Sequence, residues 1–313
     1  MKTLCLAILN YNGKKHLEHL LPTACVAAKK YPGNCSILVL DNCSTDPDEE
    51  WVRRKFPSVQ IVVAPYNDFL FSYNWLLEQL KHEIVVLLNN DLRVDEQFLG
   101  PLLRHFQSQD VFAVSASSYD WDGHERTIGP SRLTFHDGFY GWRYETQRQE
   151  LCHTLFTSGG FMAVDRLKFL ELGGFNRLFY PAYCEDLDLC FRAWRRGWRS
   201  IYEPASVVWH REQASWSVSA AARPNKLNLR HSLLFQWSSL PMERDRCKRY
   251  WTLSKLFAGG LVHGNNLWLV IYFRTFFDWF KVRKNYSVMK VTPSELAVIQ
   301  DAMVNPVKLI RAL

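Results

Sequence analysis

Three carboxylates stand within four residues near the middle of the chain, in Glu185-Asp186-Leu187-Asp188. Carboxylates among aromatic and apolar neighbours are costly to bury without a partner or a task, so this segment is the first place to look for chemistry. Burial raises the pKa of a carboxylate, which can then act as a general base. The plainer interpretation is an acidic first turn of a helix, in which Asp188 pairs with Arg192 one turn later. The two interpretations are compatible.

A second set of polar side chains follows three apolar runs in the amino-terminal half. In an open α/β sheet ligands bind at the carboxyl ends of the strands, so the three segments are predicted to converge on one site. Taken singly, Asn and Asp more often simply begin turns. Asp91, beside two amides, suits a hard divalent cation that bridges phosphate oxygens. The segments are Asn10-Tyr11-Asn12, Asp41-Asn42 and Asn89-Asn90-Asp91.

The elements that must position these side chains alternate between strand and helix. Continuous apolar runs at residues 4–9, 37–40 and 84–88 predict buried strands, and residues 59–64 predict a further short strand. Segments 16–30 and 71–81 have helical spacing of their apolar residues. Strand, helix and strand at this pitch predict βαβ units and a parallel sheet covered on both faces.

Residues 119–150 break this regularity, because glycines and tryptophans are interleaved there with polar residues. The pattern predicts a long loop inside the domain, of a kind that is usually functional or disordered. Its aromatic side chains could stack on acceptor sugars or cover the core.

Composition limits the class of protein. A chain of 313 residues with 48% apolar residues can bury a sizeable core. Its eight cysteines form no CxxC pair, which indicates reduced thiols in a cytoplasmic protein and disfavours a structural zinc site. The apolar run at residues 4–9 is short for a signal peptide and is interpreted as a strand.

Several ligand classes are disfavoured by missing motifs. No GxGxxG follows a predicted strand and no GxxxxGK[ST] occurs, so a dinucleotide fold or a P-loop is not expected. No nucleic-acid-binding module is recognisable, so we expect no nucleic-acid partner.

The order of these motifs resembles the family-2 glycosyltransferases, especially their rhamnosyltransferase-like bacterial members. The Asn10 turn, the Asp41 segment and Asn89-Asn90-Asp91 match that family's Thr-Tyr-Asn turn, Val-Asp-Asn segment and DxD-type metal motif. The match continues through segments 157–161, 172–176, 179–189 and 207–210, and covers about residues 4–234. Asp68 stands where the family usually has glycine, and Asn176 where it usually has aspartate.

The resemblance implies the GT-A fold, an α/β architecture with a mixed, mostly parallel sheet, here followed by a C-terminal helical extension. It implies inverting transfer from a nucleoside-diphosphate sugar, UDP- or dTDP-linked, with Mg²⁺ or Mn²⁺. The acceptor would be a hydroxyl of a glycan or a lipid-linked glycan in bacterial surface polysaccharide synthesis.

The same resemblance distributes roles among the residues. Asp186 would be the catalytic base, Glu185 would face the acceptor, and Asp91 and His210 would contact the cation. His210 could otherwise be a satisfied histidine at a strand end. Gly159-Gly160 could let the backbone approach the sugars or form a tight turn. The expected donor-binding residues are Asn10, Tyr11, Asn12, Asp41, Asn42, Asn67, Asn74, Asn89 and Asn90.

Charge divides the chain into two predicted regions. Residues 1–222, the expected catalytic domain, carry 23 Lys and Arg against 26 Asp and Glu; residues 223–313 carry 15 against 5. The second region is predicted to be helical, basic and aromatic, with a narrow polar stripe on its most apolar helix. Its basic residues include Arg223, Lys226, Arg230, Arg244, Arg246, Lys248 and Arg249, and the stripe comprises Arg274, Asp278, Lys281 and Asn285.

The apolar run of this helix is shorter than the ~18 to 20 residues that span a bilayer. We therefore expect the region to dock on an anionic membrane surface, at the inner face of the cytoplasmic membrane. A helical cap or a homodimer interface is the alternative.

Two other functions share parts of this pattern. A sugar-nucleotide nucleotidyltransferase would have a similar sheet but needs a Gly-rich phosphate loop with basic residues near its start. The segment Asn10-Tyr11-Asn12-Gly13-Lys14-Lys15 is a poor substitute for such a loop. A non-catalytic glycan-binding protein has no need for Asp41, Asp91, Asp186 and His210 together.

Overall fold

A computed structural model describes residues 2–46, 49–211, 223–242, 245–263, 266–286, 290–305 and 307 of the chain. The amino-terminal half contains the predicted strands and helices. Its elements are β1 (Leu4–Asn10), α1 (Lys14–Lys30), β2 (Cys35–Asp41), α2 (Glu49–Lys55), β3 (Val59–Val63), a 3₁₀ turn (Phe69–Phe71), α3 (Ser72–Gln79), β4 (Ile84–Asn89), β5 (Leu92–Val94) and α4 (Leu99–Leu103).

The second half completes the sheet and ends in helices. It contains β6 (Val111–Tyr119), β7 (Arg126–Ile128), β8 (Ser131–His136), β9 (Phe139–Tyr144), β10 (Cys152–His153), β11 (Phe161–Asp165), α5 (Arg166–Glu171), α6 (Glu185–Arg195) and β12 (Arg199–His210). The helices after β12 are α7 (Arg223–Ser239), α8 (Arg246–His263), α9 (Leu267–Tyr286) and α10 (Pro293–Val304).

Within the described ranges, ten strands form one mixed sheet. Its path runs β10-β12-β6-β11-β4-β1-β2-β3, with β5 paired to β12 and β7 to β6. Strands β2, β1 and β4 are parallel neighbours, as predicted, and β11 runs antiparallel between β4 and β6. The carboxyl ends of β1, β2 and β4 therefore lie at one edge, which is where the predicted polar segments begin.

Two apolar cores cover the two faces of the sheet. One contains buried residues of α1, such as Leu17 and Leu20, and the other contains residues of α3, α5 and α6. The second core also takes Phe235 from α7 and Ile299 from α10. The division at residue 222 stays a prediction, but helices on both sides of it share this core.

The segment at residues 119–150 differs from the predicted long loop. It contains β7 and a two-stranded hairpin of β8 and β9, in which His136 pairs with Phe139 across a two-residue turn. Asp137 and Gly138 both have positive φ, at 50° and 84°. Asp-Gly between alternating residues is a strong local signal for such a turn. Trp142 packs against the core, so its ring covers apolar residues there.

The helices after β12 include most of the predicted basic residues. Arg244 lies outside the described residues, as do the side chains of Arg223 and Asn285. None of the helices in the described ranges is long and apolar enough to cross a membrane. The predicted α9 is present, with several large apolar side chains on its exposed surface.

Candidate active site

The ends of β1, β2 and β4 are tied together through Asn10. The Asn42 backbone N–H donates to the Asn10 carbonyl oxygen at 2.7 Å. The Asn90 side chain donates to Asn10 Oδ1 at 2.8 Å. All three residues are buried. The three segments that the sequence predicted to converge therefore meet at this edge of the sheet.

Several of the predicted donor-binding side-chain amides already form hydrogen bonds with neighbouring loops. Asn12 Oδ1 accepts from the backbone of Thr45 at 2.8 Å, and Asn42 Nδ2 donates to Asn67 Oδ1 at 2.8 Å. The Asn74 amide donates to the Phe175 carbonyl at 2.9 Å and accepts from its N–H at 2.8 Å. These side chains shape the loops around the cleft, and their direct contact with a nucleotide stays a prediction.

Asp41 is held in place at the end of β2 by the residue three positions later. The Ser44 N–H donates to Asp41 Oδ1 at 3.1 Å, and the Ser44 hydroxyl donates to the same oxygen. The carboxylate is largely buried, whereas Tyr11, at the end of β1, is exposed. Asp41 is thus oriented by its own loop.

Asp91 and His210 come together although they are far apart in sequence. Strand β5 pairs with β12 so that Leu92 lies opposite His210, and His210 Nε2 is 3.4 Å from Asp91 Oδ1. Both side chains are shielded from solvent. Within the described chain, Asp91 Oδ1 and His210 Nδ1 are buried without hydrogen-bond partners.

This pair fits a divalent cation. Two neighbouring ligands of an octahedral ion lie about 3 Å apart, given metal–ligand distances of ~2.1 Å. A buried, unpaired carboxylate oxygen is costly, and a cation would satisfy it. The described residues contain no cluster of three or more His, Cys, Asp or Glu side chains placed to hold a metal. Phosphate oxygens and water would supply the other ligands, as is usual for Mg²⁺.

Basic and aromatic residues beside Asp91 were not anticipated from the sequence. The guanidinium groups of Arg93 and Arg211 lie over the Trp121 ring, at 4.5 and 4.4 Å from its centroid. Burial lowers the pKa of His16, although nearby Asp91 opposes this shift. Arg211 directly follows the predicted ligand His210 in the sequence. That adjacency is the one sequence feature that could have pointed to Arg211 as a site residue.

Asp186 lies in the first turn of α6 and faces the Gly159 backbone. The Gly159 N–H donates to Asp186 Oδ2 at 3.2 Å, and the Leu187 N–H donates to Asp186 Oδ1 at 2.8 Å. Burial raises the pKa of Asp186 to about 6, although these hydrogen bonds to the carboxylate lower it. A carboxylate with this pKa is mostly ionised at neutral pH and is more basic than an exposed aspartate.

Gly159 and Gly160 connect Asp186 to the end of β4, near Asp91. The Asn89 N–H donates to the Gly160 carbonyl at 2.7 Å. A Cβ on Gly160 would lie 2.8 Å from Asn89 Nδ2, and one on Gly159 would lie 2.7 Å from Leu70 Cδ2. These glycines therefore allow a close approach of backbone to side chain between Asp186 and the end of β4.

Gly13 is a further glycine at a close approach, between the ends of β1 and β4. A Cβ there would lie 1.9 Å from Asn90 Nδ2 and 2.5 Å from Asn10 Oδ1. The contact between β1 and β4 at the cleft therefore requires glycine at this position.

Glu185 is the least satisfied carboxylate of the group. Its Oε2 is buried without a hydrogen-bond partner among the described residues. Burial, reinforced by Asp186, raises the pKa of Glu185 well above its ordinary value. Burial also raises the pKa of Tyr144, and the charge of Asp186 adds to that effect, so β9 brings a phenol close to Asp186.

Asp188 has the structural role that its spacing predicted. Its Oδ2 accepts from Arg192 Nε at 2.8 Å, and Arg192 also donates to the carbonyls of Leu172 and Gly174. The Asn176 side chain bonds to Asp188 as well. An amide at position 176 can donate to this buried carboxylate, which explains the departure from the family's aspartate. The other departure, Asp68, forms an ion pair with Arg177.

The chain enters α6 through an unusual turn. Tyr183 and Cys184 both have left-handed backbones, with φ of 72° and 70°. This conformation costs roughly 1–2 kcal/mol for each non-glycine residue. Two such residues directly before Glu185 and Asp186 must be held by surrounding contacts, and strain of this kind is common at functional sites.

Comparison with known proteins places these features in context. The family model described as glycosyl transferase family 2 matches residues 5–173. An N-acetylglucosaminyl-diphospho-decaprenol L-rhamnosyltransferase of Mycobacterium tuberculosis is 25% identical over 239 residues, covering 66% of this chain and 75% of that one. The O-antigen biosynthesis protein RfbC of Myxococcus xanthus is 25% identical over 244 residues, covering 69% of this chain and 19% of RfbC.

A solved structure resembles the whole architecture. The mannosyltransferase PcManGT from Pyrobaculum calidifontis, in complex with GDP-Man and Mn²⁺, matches with a TM-score of 0.57 at 15% identity. The match covers 97% of this chain and 87% of that one. At this identity the likeness concerns the fold alone, and it confirms the predicted GT-A fold.

Proposed function

The chain belongs to glycosyl transferase family 2, whose model matches more than half of it, and on that premise we propose an inverting reaction in bacterial surface polysaccharide synthesis. The sugar moves from a nucleoside-diphosphate donor, UDP- or dTDP-linked, to a hydroxyl of a glycan or lipid-linked acceptor. The names of the mycobacterial and myxobacterial relatives support this acceptor class.

One observation carries the proposal: the backbone of Gly159-Gly160 lies between Asp186, whose pKa is raised, and the segment that holds Asp91 beside His210. Gly159 bonds to Asp186 and Gly160 to Asn89, which is two residues from Asp91. An inverting transfer needs a base on one side of the anomeric carbon and charge stabilisation on the other. The two groups lie on opposite sides of this glycine bridge.

Each residue then has a defined task. Asp186 accepts the proton of the acceptor hydroxyl as that oxygen attacks the anomeric carbon, and the bond to the diphosphate breaks on the opposite face. Glu185 lies beside the base on the acceptor side. Asp41 and the amides around it form the wall of the nucleotide pocket. Arg211 adds positive charge next to Asp91, where the leaving group gains negative charge.

A divalent cation, Mg²⁺ or Mn²⁺, would be held by Asp91 and His210. When bound it would neutralise part of the diphosphate charge and act as a Lewis acid. The unsatisfied Asp91 Oδ1 supports this assignment, and the solved PcManGT complex contains Mn²⁺.

The proposed reaction is tested by a screen of nucleotide sugars. We expect one UDP- or dTDP-linked sugar to raise the melting temperature with Mn²⁺, and to be slowly hydrolysed. A nucleotidyltransferase would instead consume a nucleoside triphosphate and a sugar 1-phosphate and release pyrophosphate. A glycan-binding protein would respond to no nucleotide. Absence of stabilisation by every nucleotide sugar, with and without metal, would contradict the proposal.

We also propose that helices α8 and α9 dock on an anionic membrane surface, at the inner face of the cytoplasmic membrane. Their outer surface exposes at least half of each of several large apolar side chains, and basic groups lie beside them. Arg283 lies over the Phe280 ring at 3.8 Å, and Lys255 over the Trp251 ring at 5.1 Å. The exposed residues are Trp251, Phe257, Val270, Phe273, Phe277 and Phe280.

Exposed aromatic rings beside Arg and Lys side chains suit a membrane surface. The rings can insert among the lipid headgroups, and the basic groups can bind anionic lipids. Residues 223–313 have an excess of ten basic over acidic residues, so the region is attracted to that charge. A homodimer that buries the same rings is the alternative occupant.

Flotation with vesicles of phosphatidylethanolamine and phosphatidylglycerol measures the docking. We expect the wild-type chain to float with these vesicles, more weakly at high salt, and a Phe273→Glu/Phe277→Glu variant to stay at the bottom. Val298→Glu is the matched control, because Val298 is an exposed apolar residue on α10. If wild-type chain does not float, and the double variant converts a dimer to a monomer, the surface is a dimer interface.

A further inference from the structure

Helix α7 reaches the turn that precedes the candidate base. His231 is fully buried, and its Nδ1 lies 2.8 Å from the Ala182 carbonyl oxygen and 3.1 Å from that of Tyr183. Its ring also packs edge to face against Phe179, with centroids 5.9 Å apart. The imidazole thus bonds directly to the left-handed turn at Tyr183 and Cys184.

The partners of His231 determine which ring nitrogen carries the proton. Carbonyl oxygens only accept hydrogen bonds, so Nδ1 must be protonated and donate to them. Nε2 lies 3.0 Å from Arg230 Nη1, which only donates, so Nε2 must be an unprotonated acceptor. Burial lowers the pKa of His231 to about 4, so the ring is neutral at working pH. Its hydrogen bonds leave one tautomer.

The turn controls where α6 begins. Left-handed residues at 183 and 184 redirect the chain so that Glu185 starts the helix and Asp186 stands in its first turn, against Gly159. The Ser232 side chain, next to His231, bonds to the Cys184 thiol. Two adjacent residues of α7 therefore hold the turn, one at its carbonyls and one at its side chain.

We propose that His231 is a positioning residue for Asp186, which makes α7 part of the active site. This assignment rests on the proposed role of Asp186 as base. His231 touches neither substrate nor reacting atoms; it fixes the carbonyls of the strained turn so that the Asp186 carboxylate keeps its alignment. Misplacement of a catalytic group by about 1 Å can cost ~10²-fold in rate.

Three variants test whether His231 positions Asp186 through its Nδ1–H or only fills space in the core. His231→Phe keeps a ring but removes the Nδ1–H donor, whereas His231→Asn places an amide N–H near the position of Nδ1. His153→Phe is the matched control, because His153 is also buried and its Nδ1 lies 2.9 Å from a backbone carbonyl oxygen, that of Ala302, on another part of the fold.

The readout is turnover of the nucleotide sugar that the wild-type chain hydrolyses with Mn²⁺. We expect His231→Phe to lower kcat about 10-fold to 100-fold with the KM for the donor unchanged. His231→Asn should recover most of kcat, and His153→Phe should lower the melting temperature without lowering kcat. An unchanged kcat in His231→Phe, or equal losses in all three variants, would overturn the assignment.

Hydrogen exchange of the backbone amides at residues 182–188 separates failure of this inference from failure of the proposed function. We expect faster exchange there in His231→Phe and not in His153→Phe. If the wild-type chain turns over no nucleotide sugar, the proposed function fails. Exchange that is then unchanged in His231→Phe would refute the structural half of the inference as well.

Discussion

Replacing Asp186 by asparagine is expected to lower sugar transfer by ~10² to 10⁴, because the acceptor hydroxyl then loses its general base. Donor binding should survive, since the proposed role of Asp186 is on the acceptor side of the glycine bridge. The amide oxygen can still accept from the Gly159 N–H, although the Leu187 N–H loses its acceptor. Transfer rate and donor affinity, measured on the same preparation, test both statements.

The pKa of about 6 adds a pH signature to this prediction. In the wild-type chain kcat should rise with pH through about 6, because only the ionised carboxylate accepts a proton. Glu185→Gln, the neighbouring control, should keep this ascending limb while weakening acceptor binding. Turnover by Asp186→Asn at the wild-type rate would remove Asp186 from the role of base.

The stabilising contribution of Asp186 to the folded chain should fall as pH rises, whereas kcat should rise. The pKa of Asp186 is higher in the folded chain than in the unfolded chain, so folding is most favoured when this group is protonated. That contribution is lost as pH rises from about 4 through about 6. Asp186→Asn carries no charge to bury, so its melting temperature should exceed that of the wild type above pH 6. The difference should shrink towards pH 4.

Asp91→Ala is expected to abolish the effect of divalent cations on donor binding and to lower transfer by about 10²-fold or more. The loss follows because a held cation supplies several kcal/mol of charge stabilisation at the leaving diphosphate. Donor affinity is measured with and without Mn²⁺, so the result is available even if turnover is too slow to detect.

Asp95→Ala is the matched control for this substitution. Asp95 lies four residues further on, and its Oδ1 accepts from the Gln97 N–H at 2.8 Å, which is a local turn contact. We expect Asp95→Ala to keep the Mn²⁺ dependence of donor binding. A wild-type chain that binds its donor equally well in EDTA would refute the metal role of Asp91 and His210.

The strands and the meeting of their ends were predictable because they depend on local patterns. Uninterrupted apolar runs specify buried parallel strands, and parallel strands bring Asn10, Asp41 and Asn89 to one edge. The i,i+4 spacing of Asp188 and Arg192 likewise specified their ion pair. The approach of His210 to Asp91 was proposed from resemblance alone, since strand pairing across more than a hundred residues leaves no local pattern.

What could not be predicted depends on contacts between distant segments. Asn74 was expected in the nucleotide pocket, and only the fold reveals that its amide is engaged by the Phe175 backbone. Nothing local in the sequence points to His231, because the charge of residues 223–313 predicts a separate basic region that includes α7. The turn at Asp137-Gly138 is different, because it depends only on local sequence. Its type can be inferred from those two residues.

The core around α6 cannot be complete until the ribosome has synthesised helix α10. Its residues Leu296, Ile299 and Met303 lie in the same core as residues of α6, which ends at Arg195. A ribosome adding about 5–20 residues per second needs roughly 5 to 20 s to travel between these positions. During that interval the apolar surface that α10 covers is open to solvent and to chaperones. The core that supports Asp186 is therefore completed late in synthesis, long after Asp41 at the end of β2 and Asp91 just after β4 have emerged.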